Sequence, residues 1–95
     1  MVTDAEILAR MLFKLINNKC YSKGHILEER LISAVAKHDR GRAKDILKQA
    51  IKIRLILIYG QTNYGLAYQL NTEKLSYVID FIKKNYSKSD SLKYN

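Results

Sequence analysis

The chain has 95 residues, 47% of them hydrophobic, which suffices for one domain with a modest core and excludes a second domain beside it. Seventeen Lys and Arg against nine Asp and Glu leave a formal charge of +8, which favours a polyanionic partner, whether nucleic acid or an acidic membrane surface. The single cysteine, Cys20, excludes an internal disulfide, and the longest apolar run, Leu55 to Tyr59, falls far short of the roughly 20 residues that a membrane-spanning helix needs.

The chain also lacks the basic start and following apolar run of a secretory signal, which sets the expectation of a cytoplasmic protein with no membrane association. In chain order, Thr3 stands three residues before Glu6, the pattern of a reciprocal helix cap. Leu8, Met11, Leu12, Leu15 and Ile16 follow at helical spacing, which predicts a first helix over 4–18. Asn17 and Asn18 stop it, Ser22 and Gly24 mark a turn, and Ser22 is placed to cap the next element. Leu27, Leu31, Ala34 and Val35 share one helical face, which predicts a second helix over 25–36. Asp39 then reads as a cap and Gly41 as a breaker before the third helix.

Residues 42–53 place Ala43, Ile46, Leu47, Ala50 and Ile53 on one face and Lys44, Lys48 and Lys52 on the other. The period then shortens. Leu55 to Tyr59 is rich in β-branched and aromatic residues, and Leu66 to Leu70 alternates, which predicts a hairpin with strands 55–60 and 65–70 and with Gly60 and Gly65 at its corners. Asn63 also tolerates a positive φ. A fourth helix over 72–85 begins at Asn71 or Thr72 and turns Leu75, Val78, Ile79 and Ile82 to one side. Residues 86–95 are polar and aperiodic and read as a flexible tail outside a domain of residues 1–85.

Charge is distributed unevenly along this order. Residues 37–54 hold Lys37, Arg40, Arg42, Lys44, Lys48, Lys52 and Arg54 against Asp39 and Asp45, a balance of +5, whereas residues 1–36 carry +1 and residues 55–95 carry +2. Lysines four residues apart on a helix repel by about 0.2–0.5 kcal/mol per pair, so the row is mildly unfavourable until an anion lies against it.

Three helices, a hairpin and a closing helix resemble the winged helix-turn-helix family, an α+β and mainly α fold, over residues 4–85. The stretch from His38 to Leu75 is similar to the recognition helix, wing and following helix of small archaeal winged-helix proteins. By that resemblance residues 42–53 are the recognition helix, 25–36 the supporting helix and 60–65 the wing tip. The resemblance implies a transcription regulator or chromosome-associated factor that binds double-stranded DNA through the third helix in the major groove. Lys37, Arg40, Arg42, Lys44, Lys48 and Lys52 are then the phosphate contacts, Arg42 and Gln49 the candidates for base reading, and Asn63 and Tyr64 the wing contacts. The wing sequence Gln61, Thr62, Asn63 and Tyr64 departs from the family pattern in carrying no charge.

Two other uses of the fold are open. A protein-interaction module of a larger assembly, or a homodimer, is suggested by Phe13, Tyr77 and Phe81, which widen the apolar faces of helices one and four. RNA binding is suggested by the seven tyrosines, although Tyr59 and Tyr68 fall on strands where packing is the simpler use. Catalysis finds no constellation: His25 and His38 lie thirteen residues apart, Cys20 has no histidine partner at helical spacing, and Glu28 and Glu29 diverge around their helix. No cofactor, metal or small-molecule ligand is indicated, and the alanine-rich apolar face of residues 42–53 has no aromatic residue to insert into lipid.

Overall fold

The computed structural model describes residues 3–21 and 24–86. Its elements are α1 (Asp4–Asn17), β1 (Ile26–Leu27), α2 (Glu28–Ile32), a 3-10 turn (Lys37–Asp39), α3 (Arg40–Lys52), β2 (Ile56–Thr62), β3 (Gly65–Leu70), a second 3-10 turn (Thr72–Lys74) and α4 (Leu75–Asn85). The fold is α+β and mainly helical, with a three-stranded antiparallel sheet in the order β1-β3-β2.

α1 begins where the cap pattern places it: the Thr3 hydroxyl accepts from the Glu6 N–H at 3.1 Å, and the Glu6 carboxylate pairs with Arg10 one turn on at 2.9 Å. Its end is built by Lys19, whose φ of +54° lets the Lys19 N–H reach the Ile16 carbonyl and the Cys20 N–H reach the Leu15 carbonyl at 2.8 Å. Gly24 packs against this turn so closely that a Cβ would overlap the Lys19 carbonyl, which is why no side chain fits there. α1 lies against α3 and α4 and contributes Ile7, Met11, Leu12 and Leu15 to the core, where Leu31, Leu47, Ile56, Leu70, Val78 and Ile82 meet them. Cys20 is buried in the same cluster, and that burial, opposed in part by Arg30, raises its thiol pKa and keeps it protonated.

The second helix is shorter than its periodicity suggests. Ile26 and Leu27 leave the helical pattern to pair with Tyr68 and Ala67 of β3, a partnership specified by distant residues, and α2 starts only at Glu28. Beyond Ile32 the chain tightens into bonds of three-residue spacing, Ala34 to Leu31 and Val35 to Ile32, which keep Val35 buried without continuing the α-helix. Ser22, expected as a cap, lies outside the described residues.

Tyr68 on β3 donates its hydroxyl proton to the Glu28 carboxylate at 2.7 Å and so ties the sheet to the start of α2. Burial, with this bond and the Glu28 charge, raises the Tyr68 pKa well above the ordinary value near 10. A raised folded-state pKa on an acid means stability that is complete below about pH 10 and declines as the pH rises toward the folded value. Tyr68→Phe is therefore expected to unfold more easily than the parent at pH 8, and the gap is expected to begin to narrow in denaturant titrations as the pH is raised from 10 to 11. A constant gap across that range would place the stabilisation elsewhere.

α3 starts at Arg40, two residues earlier than expected, with Gly41 inside its first turn and exposed. A glycine is tolerated there because first-turn N–H groups have no intrahelical partner to lose. Asp39 precedes the helix without capping it through its side chain; the carboxylate faces Arg42 and His38 instead, each at 3.4 Å. The strands extend to Thr62, so that Asn63 and Tyr64 alone form the hairpin tip, and Asn63 does not adopt a positive φ. Gly65 does, at +122°. Ile58 pairs with Tyr68 and Gly60 with Ala67, which leaves Tyr59 as an extra residue in a bulge, completed by the φ of +148° at Gly60. The Tyr59 ring stacks on His25 at 4.1 Å.

Asn71 caps the second 3-10 turn, its side chain accepting from the Glu73 N–H at 3.1 Å, and α4 follows only from Leu75, three residues later than expected. Of its expected apolar face only Val78 and Ile82 are buried. Leu75 and Ile79 stand 38% and 39% exposed, because α4 packs chiefly on α1 and its flanks extend past that contact. Tyr86, assigned by sequence to the tail, belongs to the fold: its ring meets Phe13 edge-on at 5.3 Å and lies under Arg10. The rest of the expected tail, residues 87–95, lies outside the described residues.

Candidate nucleic-acid interface

The amphipathic sequence of α3 makes one side of it part of the core: Ala43, Leu47 and Ala50 are buried and Ile46 and Ile51 pack at the margin. Ile53, expected on this face, is the C-cap and is 57% exposed, since the chain leaves the helical path at that point. Lys44, Lys48 and Lys52 emerge on the opposite side and are all exposed. At a rise of about 1.5 Å per residue their stems leave the helix at intervals of about 6 Å along a row of about 12 Å. Among the described residues none of the three lies within ion-pair distance of a carboxylate, Asp45 included.

The other expected contacts divide into two groups. Arg40 is half-buried and joins Lys44 on the wall of a groove of about 500 Å³ whose opposite wall is Tyr64, Gly65 and Leu66 of the hairpin. Tyr64 is 85% exposed, Asn63 is exposed beside it, and Lys37 is exposed in the turn before α3. The tip of the hairpin and the amino half of α3 thus flank the same depression. The groove is also lined by Glu28 and Glu29 of α2, whose adjacency in sequence carries no signal of this placement; the β1 pairing that brings the start of α2 toward the hairpin is what places them there. The Glu28 carboxylate is engaged by Tyr68.

Arg42 and Gln49, expected to read bases, stand on a different side of α3. The Arg42 guanidinium donates to the Asp4 carboxylate at the start of α1 at 2.6 Å and also meets Asp39, and the hydrogen bond it gives Asp4 is the main reason its pKa is raised further. Its role is to fasten the amino ends of α1 and α3 together. Gln49 is exposed but borders a shallow groove with Asp4, Leu8 and Asp45, around the helix from the lysines. A single sequence offers no signal for the Asp4–Arg42 pair, whose members are 38 residues apart.

Phe13, Tyr77 and Phe81 do not form one patch of free rings. Phe13 is occupied by Tyr86, and Phe81 packs on the core while stacking with Tyr77 at 6.1 Å, so that only Tyr77 presents substantial surface. Among the described residues no three His, Cys, Asp or Glu side chains come together to hold a metal, and no helix is long and apolar enough to cross a membrane. Comparison with protein-family models, curated proteins and solved structures finds no match to this chain.

Proposed function

We propose that the protein is a DNA-binding domain of winged-helix type that holds duplex DNA through its phosphates, with α3 as the helix in the major groove and the Asn63–Tyr64 tip as the wing. The observation that carries this reading is the row of Lys44, Lys48 and Lys52, exposed, unpaired among the described residues and opposite a buried apolar face. Three like charges spaced by one turn repel in the free protein and lose that cost against a polyphosphate, with counterion release adding affinity. Lysine is a point charge without the fork that reads a guanine edge, and the two side chains suited to base reading, Arg42 and Gln49, lie away from the row. The surface therefore favours sequence-tolerant binding, more in keeping with a chromosome-associated factor than with a regulator of one site.

Chemical-shift mapping with a generic duplex is the direct test: amides of residues 40–52 and 63–64 are expected to move together, and perturbation confined to α1 and α4 would sink the assignment. Competition between duplex DNA and structured RNA separates the RNA-binding alternative. Arg42 supplies an internal control. Because its charge is already shared with two carboxylates, Arg42→Gln is expected to change duplex affinity by less than about twofold, whereas Lys48→Gln removes one phosphate contact and flattens the salt slope by about 0.9. Equal losses in the two variants would mean that Arg42 breaks its ion pairs to reach DNA.

A further inference from the structure

The hairpin tip holds one ring clear of the protein. Thr62 closes the turn from within: its hydroxyl donates to the Gly65 carbonyl at 2.7 Å and accepts from the Tyr64 N–H at 3.1 Å, so a side chain fixes the two-residue tip. Gly65, at a φ of +122°, returns the chain into β3. On this closed turn Tyr64 is 85% exposed, more than any other large hydrophobic side chain among the described residues. The other tyrosines of the hairpin are engaged, Tyr59 by His25 and Tyr68 by Glu28. The Tyr64 ring meets no other ring among the described residues.

Tyr64 also separates two depressions. One is the groove already described, with Arg40 and Lys44 on its α3 wall. The other, of about 390 Å³, lies beside the tip and is lined by His25, Ile26, Leu27 and Arg30 together with Thr62 and Asn63. Leu27 and Tyr64 border both, so the ring stands on the ridge between them. Arg30 is exposed, bonds the Asn18 side-chain oxygen at 3.3 Å and lies within ion-pair distance of no carboxylate among the described residues. Glu28 and Glu29 offset the cations of the first groove, whereas no carboxylate lines the second. Each depression thus holds an arginine, and the ridge itself carries no charge.

A charged tip would act on phosphates. An uncharged aromatic ring between two arginine-bearing depressions matches a different part of a polynucleotide, the face of a base, with the sugar–phosphate chain on either side led toward Arg40 and Arg30. In an intact duplex those faces are covered by their neighbours, and the ring reaches one only by opening a step against the stacking energy. At an interruption of the stack a face is already free. From this we infer that Tyr64 is a base-stacking contact and that the protein prefers duplex DNA with a broken stack, at a gap or an unpaired nucleotide, over intact duplex. The inference rests on the DNA-binding reading above and divides the work within it. The lysine row supplies affinity for any duplex, which salt weakens; the tip supplies the choice among duplexes, which salt leaves alone because an uncharged ring releases no counterions.

The chain has no tryptophan, so Tyr64→Trp places a lone fluorophore at the tip. A short duplex, the same duplex with a single-nucleotide gap and the isolated single strand are titrated into the whole chain at low salt. The gapped duplex is expected to quench the emission and to bind about fivefold or more tighter than the intact one. In the parent background Tyr64→Ala is expected to bring the two duplexes to equal affinity with their salt slopes unchanged, while Lys48→Gln flattens both slopes and keeps the preference. Thr62→Val, which removes the hydroxyl that fixes the tip, is expected to reduce the preference, and Thr62→Ser to retain it. Unchanged emission while the gapped duplex binds, a preference that survives Tyr64→Ala, or a single strand that binds as tightly as the gapped duplex overturns the proposal. Absence of binding to either duplex at low salt defeats the DNA-binding reading itself, and this inference with it.

Discussion

Replacing Lys44, Lys48 and Lys52 together by Gln is expected to cost most of the duplex affinity at low salt while leaving the helical signal and the melting temperature close to those of the parent. All three side chains are exposed, none is paired with a described carboxylate, and the buried side of α3 is untouched by the change. The size of the effect follows from counterion release. Each phosphate contact contributes about 0.9 to the slope of log affinity against log salt, so the triple variant should have a slope shallower by about 2.7. Between about 50 and about 200 mM salt that difference corresponds to roughly 40-fold in affinity that the parent loses and the variant has already lost. Removal of the mutual repulsion among three lysines should make the free variant slightly more stable, by a few tenths of a kcal/mol per pair. A variant that unfolds would instead show that the lysine stems pack on the fold. One that retains the parent's salt slope would move the DNA contacts to another face.

The parts of this site that were legible in the sequence are those confined to one element. The lysine row is visible because a helix repeats every 3.6 residues, and spacing of four both defines the exposed side and leaves Ala43, Leu47 and Ala50 for the core. The caps of α1 and of the 3-10 turn that leads into α4 were legible for the same reason, since Thr3 and Asn71 bond N–H groups two or three residues away. What depends on distant partners was not. Ile26 and Leu27 look helical beside Leu31 and Val35, and only their pairing with Tyr68 and Ala67 makes them a strand. Glu28 and Glu29 acquire their place in the groove from that same pairing. Arg42 has the spacing and chemistry of a base-reading residue, and the carboxylate that withdraws it from that use comes from the first turn of α1. Gly41 marks a weaker point of local reasoning, because a glycine in a first helical turn and a glycine that ends a helix are the same letter in sequence.

The junction that orients α3 against the sheet should be the most sensitive single position among these. Asn71 is buried and does three things at once: its Nδ2 donates to the Arg54 carbonyl at 2.7 Å, its Oδ1 accepts from the Glu73 N–H, and its own N–H holds the Leu55 carbonyl at 3.1 Å. Arg54 is in the left-handed region, which costs an arginine energy that its surroundings must offset, and the side-chain bond from Asn71 fixes the peptide that follows. Asn71→Ala loses the cap, worth about 1 kcal/mol, and strands a buried carbonyl, worth about 1–3 kcal/mol, for a total near 2–4 kcal/mol. For a domain of this size that corresponds to a fall of roughly 10–30 °C in Tm. Asn71→Asp separates the two contributions, since a carboxylate still accepts from Glu73 but cannot donate to Arg54 and faces its carbonyl oxygen. If the turn at Arg54 is what Asn71 stabilises, Asp should be nearly as damaging as Ala, and amide exchange at residues 52–56 should accelerate in both variants. If Asp restores most of the stability, the cap dominates, and the geometry linking the lysine row to the edge strand rests on the packing of Leu47, Ala50 and Ile56 instead.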